Sequence, residues 1–127
     1  AAYIEACRLN RNLHLCLYSY MDIAIHYDGA TPEQIGRFLE NLGLGQHTNV
    51  ETIYEYLVEE PCNYLKYYLG YLEFLSLKQQ AEKLWGTDYS DYRFHKFVLE
   101  TGPSDFRSLG ELVTAHPYPG QNFGNQS

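Results

Sequence analysis

From Ala1 to Tyr27 the chain contains no glycine and no proline, and Asp28-Gly29 then breaks the run. A stretch this long without a breaker predicts one helix of about seven turns, with Gly29 available for a left-handed C-terminal cap. Its second half constrains the fold further. Leu13, Leu15, Leu17, Tyr18, Met21 and Ile25 are joined by Cys16, Tyr20, Ile23, Ala24 and Tyr27, so apolar side chains go round the whole helix. A helix apolar on every side is buried on every side. A domain of 127 residues has few such places. Ala1 also begins directly in helical sequence, with no cap ahead of it. Together these features lead to the expectation that part of the natural surroundings lies outside this chain.

The rest reads as shorter helices with recognisable starts and stops. Thr31-Pro32-Glu33-Gln34 has the form of a capping box, with Thr31 as N-cap, Pro32 in the first helical position and Gln34 reaching back. Ile35, Phe38, Leu39 and Leu42 follow at helical spacing, and Gly43 stops them. Thr48 or Asn49 caps a third helix carrying Val50, Ile53, Tyr54 and Leu57. Pro61 opens a fourth, running to Leu84 or Trp85 and stopped by Gly86. This helix is also apolar on most sides, and Gly70 lies within it. An interior helical glycine costs about 1 kcal/mol against alanine, so close approach of another helix or of a ligand is expected there. Ser90 or Asp91 caps a fifth helix bearing Phe94, Phe97, Val98 and Leu99, ended by Gly102-Pro103. Ser104 caps a sixth with Phe106, Leu109, Leu112 and Val113. The pattern predicts an all-α protein of about six helices in one irregular bundle over 1–115, without strands, repeats or a linker. Residues 116–127, with two prolines and two glycines, are expected to form an irregular tail.

Composition excludes several functions. Hydrophobic residues make up 45% and charged residues 20%, which is globular rather than disordered. The net charge of -7 repels a phosphate backbone and argues against nucleic-acid binding. No apolar stretch reaches the roughly 18 residues that a membrane span requires. The three cysteines do not make a disulfide framework. Cys7 and Cys16 share the first helix, roughly 13 Å apart along its axis, against the limit of about 7 Å for a bridge. All three read as small buried hydrophobes.

The five histidines are scattered. None stands in an HExxH arrangement, and the chain has no Cys-x-x-Cys pair, no Gly-x-Ser-x-Gly elbow and no phosphate-binding glycine loop. No metal site is expected within the chain. Two places could carry chemistry. Asp22 and His26 are four residues apart on one helix face, where a carboxylate can orient an imidazole; a helix-terminal histidine settled against the dipole is the plainer reading. Tyr64, Tyr67, Tyr68 and Tyr71 form a phenol stripe beside Lys66. A phenol can donate to an oxyanion and a lysine can hold a carboxylate; ordinary packing with a solvated lysine is the plainer reading.

These segments carry a resemblance. Asp22 to Gln34, with an Asp, a His four residues on and a Gly three beyond that leading into a capped helix, resembles a signature of the bacterial domain-of-unknown-function family 885. Glu60-Pro61-Cys-Asn-Tyr64-Leu65-Lys66-Tyr67-Tyr68-Leu69-Gly70-Tyr71-Leu72-Glu73 is similar to a later helix of that family, and Phe94-His95-Lys96-Phe97-Val98-Leu99 before Gly102-Pro103 to its closing segment. The likeness covers Leu13 to Val113. Members of the family resemble gluzincin-type zinc metallopeptidases whose zinc ligands lie upstream of the region matched. The resemblance therefore implies the C-terminal portion of a larger zinc-dependent peptidase, inactive alone, with its two long helices buried in the parent. Zinc is expected in the full-length parent and no cofactor in this chain.

Related α-helical zinc peptidases have a Tyr-x-Arg-Tyr run facing the metal, and Tyr64-Leu65-Lys66-Tyr67 is similar, with lysine for arginine. By that likeness Tyr67 is the transition-state donor, Tyr64 a substrate contact and Lys66 an anion contact. His26 is a cleft residue oriented by Asp22, and His95 is structural. The family more often has Thr-Gly where this chain has Ile23-Ala24. Expected partners are the upstream part of the parent chain, a peptide substrate in the parent, and other copies of the chain through exposed apolar helix faces. The rival reading is a non-catalytic helical interaction module, with its tyrosines enclosed in the core.

Overall fold

The computed structural model describes residues 2–115, apart from the side chain of His47. The tail expected over 116–127 lies outside the described residues. Six α-helices follow in order: α1 (Ala2–His26), α2 (Pro32–Asn41), α3 (Val50–Glu59), α4 (Asn63–Trp85), α5 (Asp91–Thr101) and α6 (Phe106–Ala115). Single 3-10 turns lie at Gly45–His47 and Gly86–Asp88. There is no strand among the described residues, and the protein is all-α. The described residues gather into two compact units, divided between Gly70 and Tyr71, inside α4 rather than at a linker.

In the first unit, α1 turns through Gly29, whose φ of 70° is the left-handed conformation that a side chain disfavours. The capping box then starts α2. Thr31 Oγ1 accepts from the Gln34 N–H at 3.4 Å, and Gln34 Oε1 accepts from the Thr31 N–H at 2.8 Å. Asn49 caps α3 by accepting from the Thr52 N–H at 3.2 Å. Met21, Ile25, Ile35, Leu39 and Leu57 make the core. Each such side chain, fully buried, contributes about 1.5–3 kcal/mol of transfer free energy. Tyr18, Tyr54 and Tyr64 pack at its edge, and the Tyr54 hydroxyl donates to the Ala30 carbonyl at 3.1 Å.

The second unit is built round Trp85, with Leu77, Ala81, Phe94, Phe97, Leu109 and Val113. A buried indole needs an acceptor. Trp85 Nε1 finds it in the Val113 carbonyl at 3.4 Å. Gln80 Nε2 ties α4 to α6 by donating to Thr114 Oγ1 at 3.0 Å. Ser90 caps α5 by accepting from the Arg93 N–H. At α6 the cap is Asp105 instead of the expected Ser104: its Oδ1 accepts from the Ser108 N–H at 2.9 Å and its Oδ2 from the Ser108 hydroxyl at 2.8 Å.

Three local expectations need correction. α4 begins at Asn63, not Pro61, because Cys62 adopts φ 62° and makes a turn out of Pro61-Cys62. All three cysteines are exposed rather than buried. Cys16 lies on the side of α1 away from the core, Cys7 lies toward the N-terminus of α1 ahead of its first buried residue, Leu15, and Cys62 lies in that turn. A Cβ at Gly70 would meet nothing within 4 Å among the described residues, so no close approach explains this glycine.

Candidate functional site

Asp22, His26, Tyr64, Lys66 and Tyr67 all fall in the first unit, while Tyr71, the last member of the phenol stripe, opens the second. Asp22 lies on the buried side of α1 with 2% of its surface exposed. One turn later, at the end of the helix, the His26 side chain is 32% exposed. The i, i+4 spacing brings them together: His26 Nδ1 lies 2.9 Å from Asp22 Oδ1 and 3.0 Å from the Asp22 carbonyl. This geometry fits an N–H on Nδ1 donating inward and leaves Nε2 on the solvent side. Asp22 Oδ2 and the Ser19 hydroxyl are buried without a hydrogen-bond partner among the described residues. The carboxylate is thus held on one oxygen only, and a fixed imidazole is what it presents outward.

Lys66 and Tyr67 lie in the first turns of α4, and both are exposed. Tyr67 is 58% exposed, and the Lys66 ammonium stands 6.0 Å from the centre of its ring. The phenol stripe is not uniform: Tyr64, Tyr68 and Tyr71 are half-buried, while Tyr67, at the stripe's edge, faces solvent.

Tyr64 belongs to a ring cluster that the sequence reading missed. His14 stacks on Tyr18 with centroids 4.2 Å apart, and Tyr64 meets Tyr18 at 4.5 Å, His14 at 5.7 Å and Tyr56 at 5.9 Å. Asn63 Nδ2 donates to the Tyr56 hydroxyl at 3.2 Å. Burial raises the Tyr64 phenol above its ordinary 10, helped by the neighbouring Tyr56 and Tyr18 phenols. Burial, then Tyr56, raises Tyr18. Burial and the nearby Arg11 charge lower His14 below 6.5. The cluster is therefore neutral near pH 7 and rich in hydroxyl donors. The His14–Tyr18 spacing of four residues was a visible signal for it; the approach of Tyr56 and Tyr64 was not.

The family model described as "Bacterial protein of unknown function (DUF885)" matches residues 2–113. The chain belongs to the DUF885 family. No curated protein and no solved structure matches it. The match takes in all of α1 and both segments that carry the candidate residues.

Within this DUF885 chain the candidate residues form three groups: Asp22 with His26, Lys66 with Tyr67, and Tyr64 in the ring cluster. No hydrogen bond or ion pair joins the first group to the second among the described residues. His95, expected to be structural, stands exposed with its ring 5.8 Å from Phe94. No group of three or more His, Cys, Asp or Glu side chains that could hold a metal is found among the described residues. Asp22 and His26 offer two donors, and His26 Nδ1 is already turned to the carboxylate. No helix of the described residues is long and apolar enough to cross a membrane.

Proposed function

We propose that this chain is the C-terminal helical part of a zinc-dependent peptidase and supplies hydrogen-bond donors and one wall of its cleft. The metal would be held by polypeptide outside these residues, as would the groups that bring water to the scissile bond. The part left to this chain is electrostatic. As a peptide carbonyl is attacked, negative charge gathers on its oxygen, and a fixed O–H or N–H aimed at that oxygen stabilises the transition state. Tyr67 is the proposed donor, Lys66 the contact for a substrate carboxylate, and Tyr64 a further substrate contact. His26, steadied by Asp22, is the proposed second cleft residue.

The observation that carries this reading is the joint exposure of Tyr67 and Lys66 at the start of α4. A phenol that served only as core would be enclosed, as Trp85 is. In the full-length peptidase, Tyr67→Phe is expected to lower turnover by about 10² to 10³ with little change in KM. Unchanged turnover in that variant refutes the assignment. The 127-residue chain by itself is expected to hydrolyse no peptide with or without added zinc.

A further inference from the structure

Three glycines lie inside α-helices of the described residues, and two of them face another helix. A Cβ at Gly36 in α2 would meet the Val50 side chain of α3 at 3.8 Å, and one at Gly110 in α6 would meet Gln80 Oε1 of α4 at 3.6 Å. Gly70 in α4 differs. A Cβ there would meet nothing within 4 Å among the described residues, and its backbone is not left-handed. Glycine is the poorest helix former after proline. Neither backbone geometry nor packing among the described residues accounts for its place, and the remaining use of a bare backbone is close approach of a ligand.

The position of Gly70 says which ligand. At about 100° per residue, position 70 points between Lys66 and Tyr67, about 40° from the one and about 60° from the other. A helical side chain leans toward the N-terminus and covers the turn before its own Cα. The patch that a side chain at 70 would cover is therefore the ground between Lys66 and Tyr67. Both of these are exposed, Gly70 is partly so, and the Lys66 ammonium stands 6.0 Å from the centre of the Tyr67 ring. The ammonium and the phenol thus rise on either side of a strip of helix that carries no side chain of its own.

We propose that Gly70 is the point at which the main chain of the peptide substrate lies against α4. This role rests on the peptidase reading, in which one substrate reaches both Lys66 and Tyr67. A peptide held by a carboxylate at Lys66 and by its scissile carbonyl at Tyr67 crosses the strip between them. With glycine beneath it, the peptide lies on the helix backbone. A side chain at 70 lifts it away from both groups, and a misplacement of about 1 Å at a reacting centre costs about 10²-fold in rate.

Alanine and leucine are both good helix formers, so replacing Gly70 by either does not weaken α4. In the 127-residue chain, Gly70→Ala should unfold at a urea concentration no lower than the parent sequence does. A lower midpoint means that position 70 is crowded and overturns the proposal. In the full-length peptidase, kcat/KM should fall about tenfold in Gly70→Ala and about 10²-fold or more in Gly70→Leu, with the thermal midpoint of the substrate-free enzyme unchanged. A loss as large with alanine as with leucine is the mark of a stiffened hinge and overturns it. So does a thermal midpoint that drops as the side chain grows, which is the mark of other polypeptide of the parent packed on Gly70. Tyr67→Phe, measured alongside, separates this role from the reading beneath it. If Gly70→Leu leaves kcat/KM intact while Tyr67→Phe depresses turnover, the role of Gly70 falls and that of Tyr67 stands. If neither change has an effect, both fall.

Discussion

Asp22 and His26 meet at 2.9 Å, with the carboxylate buried and the imidazole open to solvent. Only one carboxylate oxygen is satisfied by that contact, because Oδ2 has no partner among the described residues. His26→Ala removes the side-chain donor on Oδ1 as well, leaving the buried carboxyl group without the imidazole contact that satisfies it. The expected cost is about 1–3 kcal/mol. Asp22→Asn removes the buried charge yet keeps an oxygen for the imidazole N–H, and should cost less. Urea unfolding of the two variants checks the order. Equal midpoints for His26→Ala and the parent sequence would show that the pair carries no stability.

His14 provides a pH test of the ring cluster. Burial, then the Arg11 charge, lowers its pKa below the ordinary 6.5. The unfolded chain therefore takes up the proton first as pH falls. The stabilisation is whole above pH 6.5 and is lost as pH drops through the depressed value. A proton NMR titration should place the His14 midpoint below 6.5, and Arg11→Gln should move it up. A midpoint at or above 6.5 would mean that the stack on Tyr18 and Tyr64 does not form in solution.

At the other extreme of pH, Tyr89 reports on the second unit. Its hydroxyl donates to Asp91 Oδ1 at 2.7 Å, and its pKa is pushed from 10 up to about 12, first by burial and then by that hydrogen bond. The folded state favours the neutral phenol, so its contribution is complete below pH 10 and disappears between pH 10 and 12. Tyr89→Phe should flatten the alkaline loss of stability followed by fluorescence of Trp85, the single tryptophan, whose ring lies 6.2 Å from that of Tyr89. An identical alkaline profile in Tyr89→Phe would remove Tyr89 as its source.

What could be read from the sequence was mostly local. Thr31-Pro32-Glu33-Gln34 announces a helix start because both hydrogen bonds of its box lie within three residues, and both form. Asn49 and Ser90 cap their helices for the same reason. Asp22 and His26 could be paired from the pitch of a helix alone. Sidedness was harder. α1 is apolar on two faces, and hydropathy does not say which one meets Ile35 and Leu57, so Cys16 was assigned to an interior that it does not enter. Pro61 looks like a first helical residue, but the left-handed backbone of Cys62 delays α4. Tyr64 reaches Tyr18 and His14 only because the start of α4 comes back onto α1, and no spacing along the chain encodes that meeting.

Lys66 and Tyr67 are adjacent in sequence but are assigned different parts of the proposed reaction, and kinetics can separate them. An ammonium that holds a substrate carboxylate does so equally in the ground state and the transition state. Removing it should raise KM and leave kcat nearly unchanged. A charge-assisted hydrogen bond is worth about 1.5–3 kcal/mol, so Lys66→Ala in the full-length peptidase should raise KM by tenfold or more for a substrate with a free carboxylate. The same substrate with that carboxylate amidated should be indifferent to the change. Lys66→Arg should restore binding, because a guanidinium offers a planar fork to the same group. The contact of Lys66 with the Tyr67 ring cannot mimic this pattern. At 6.0 Å and exposed, it is worth about 0.5–1 kcal/mol and has no preference for one substrate terminus over another. If Lys66→Ala lowers kcat as far as Tyr67→Phe does, and does so for both substrates, Lys66 acts on the reacting oxygen and the two roles must be exchanged.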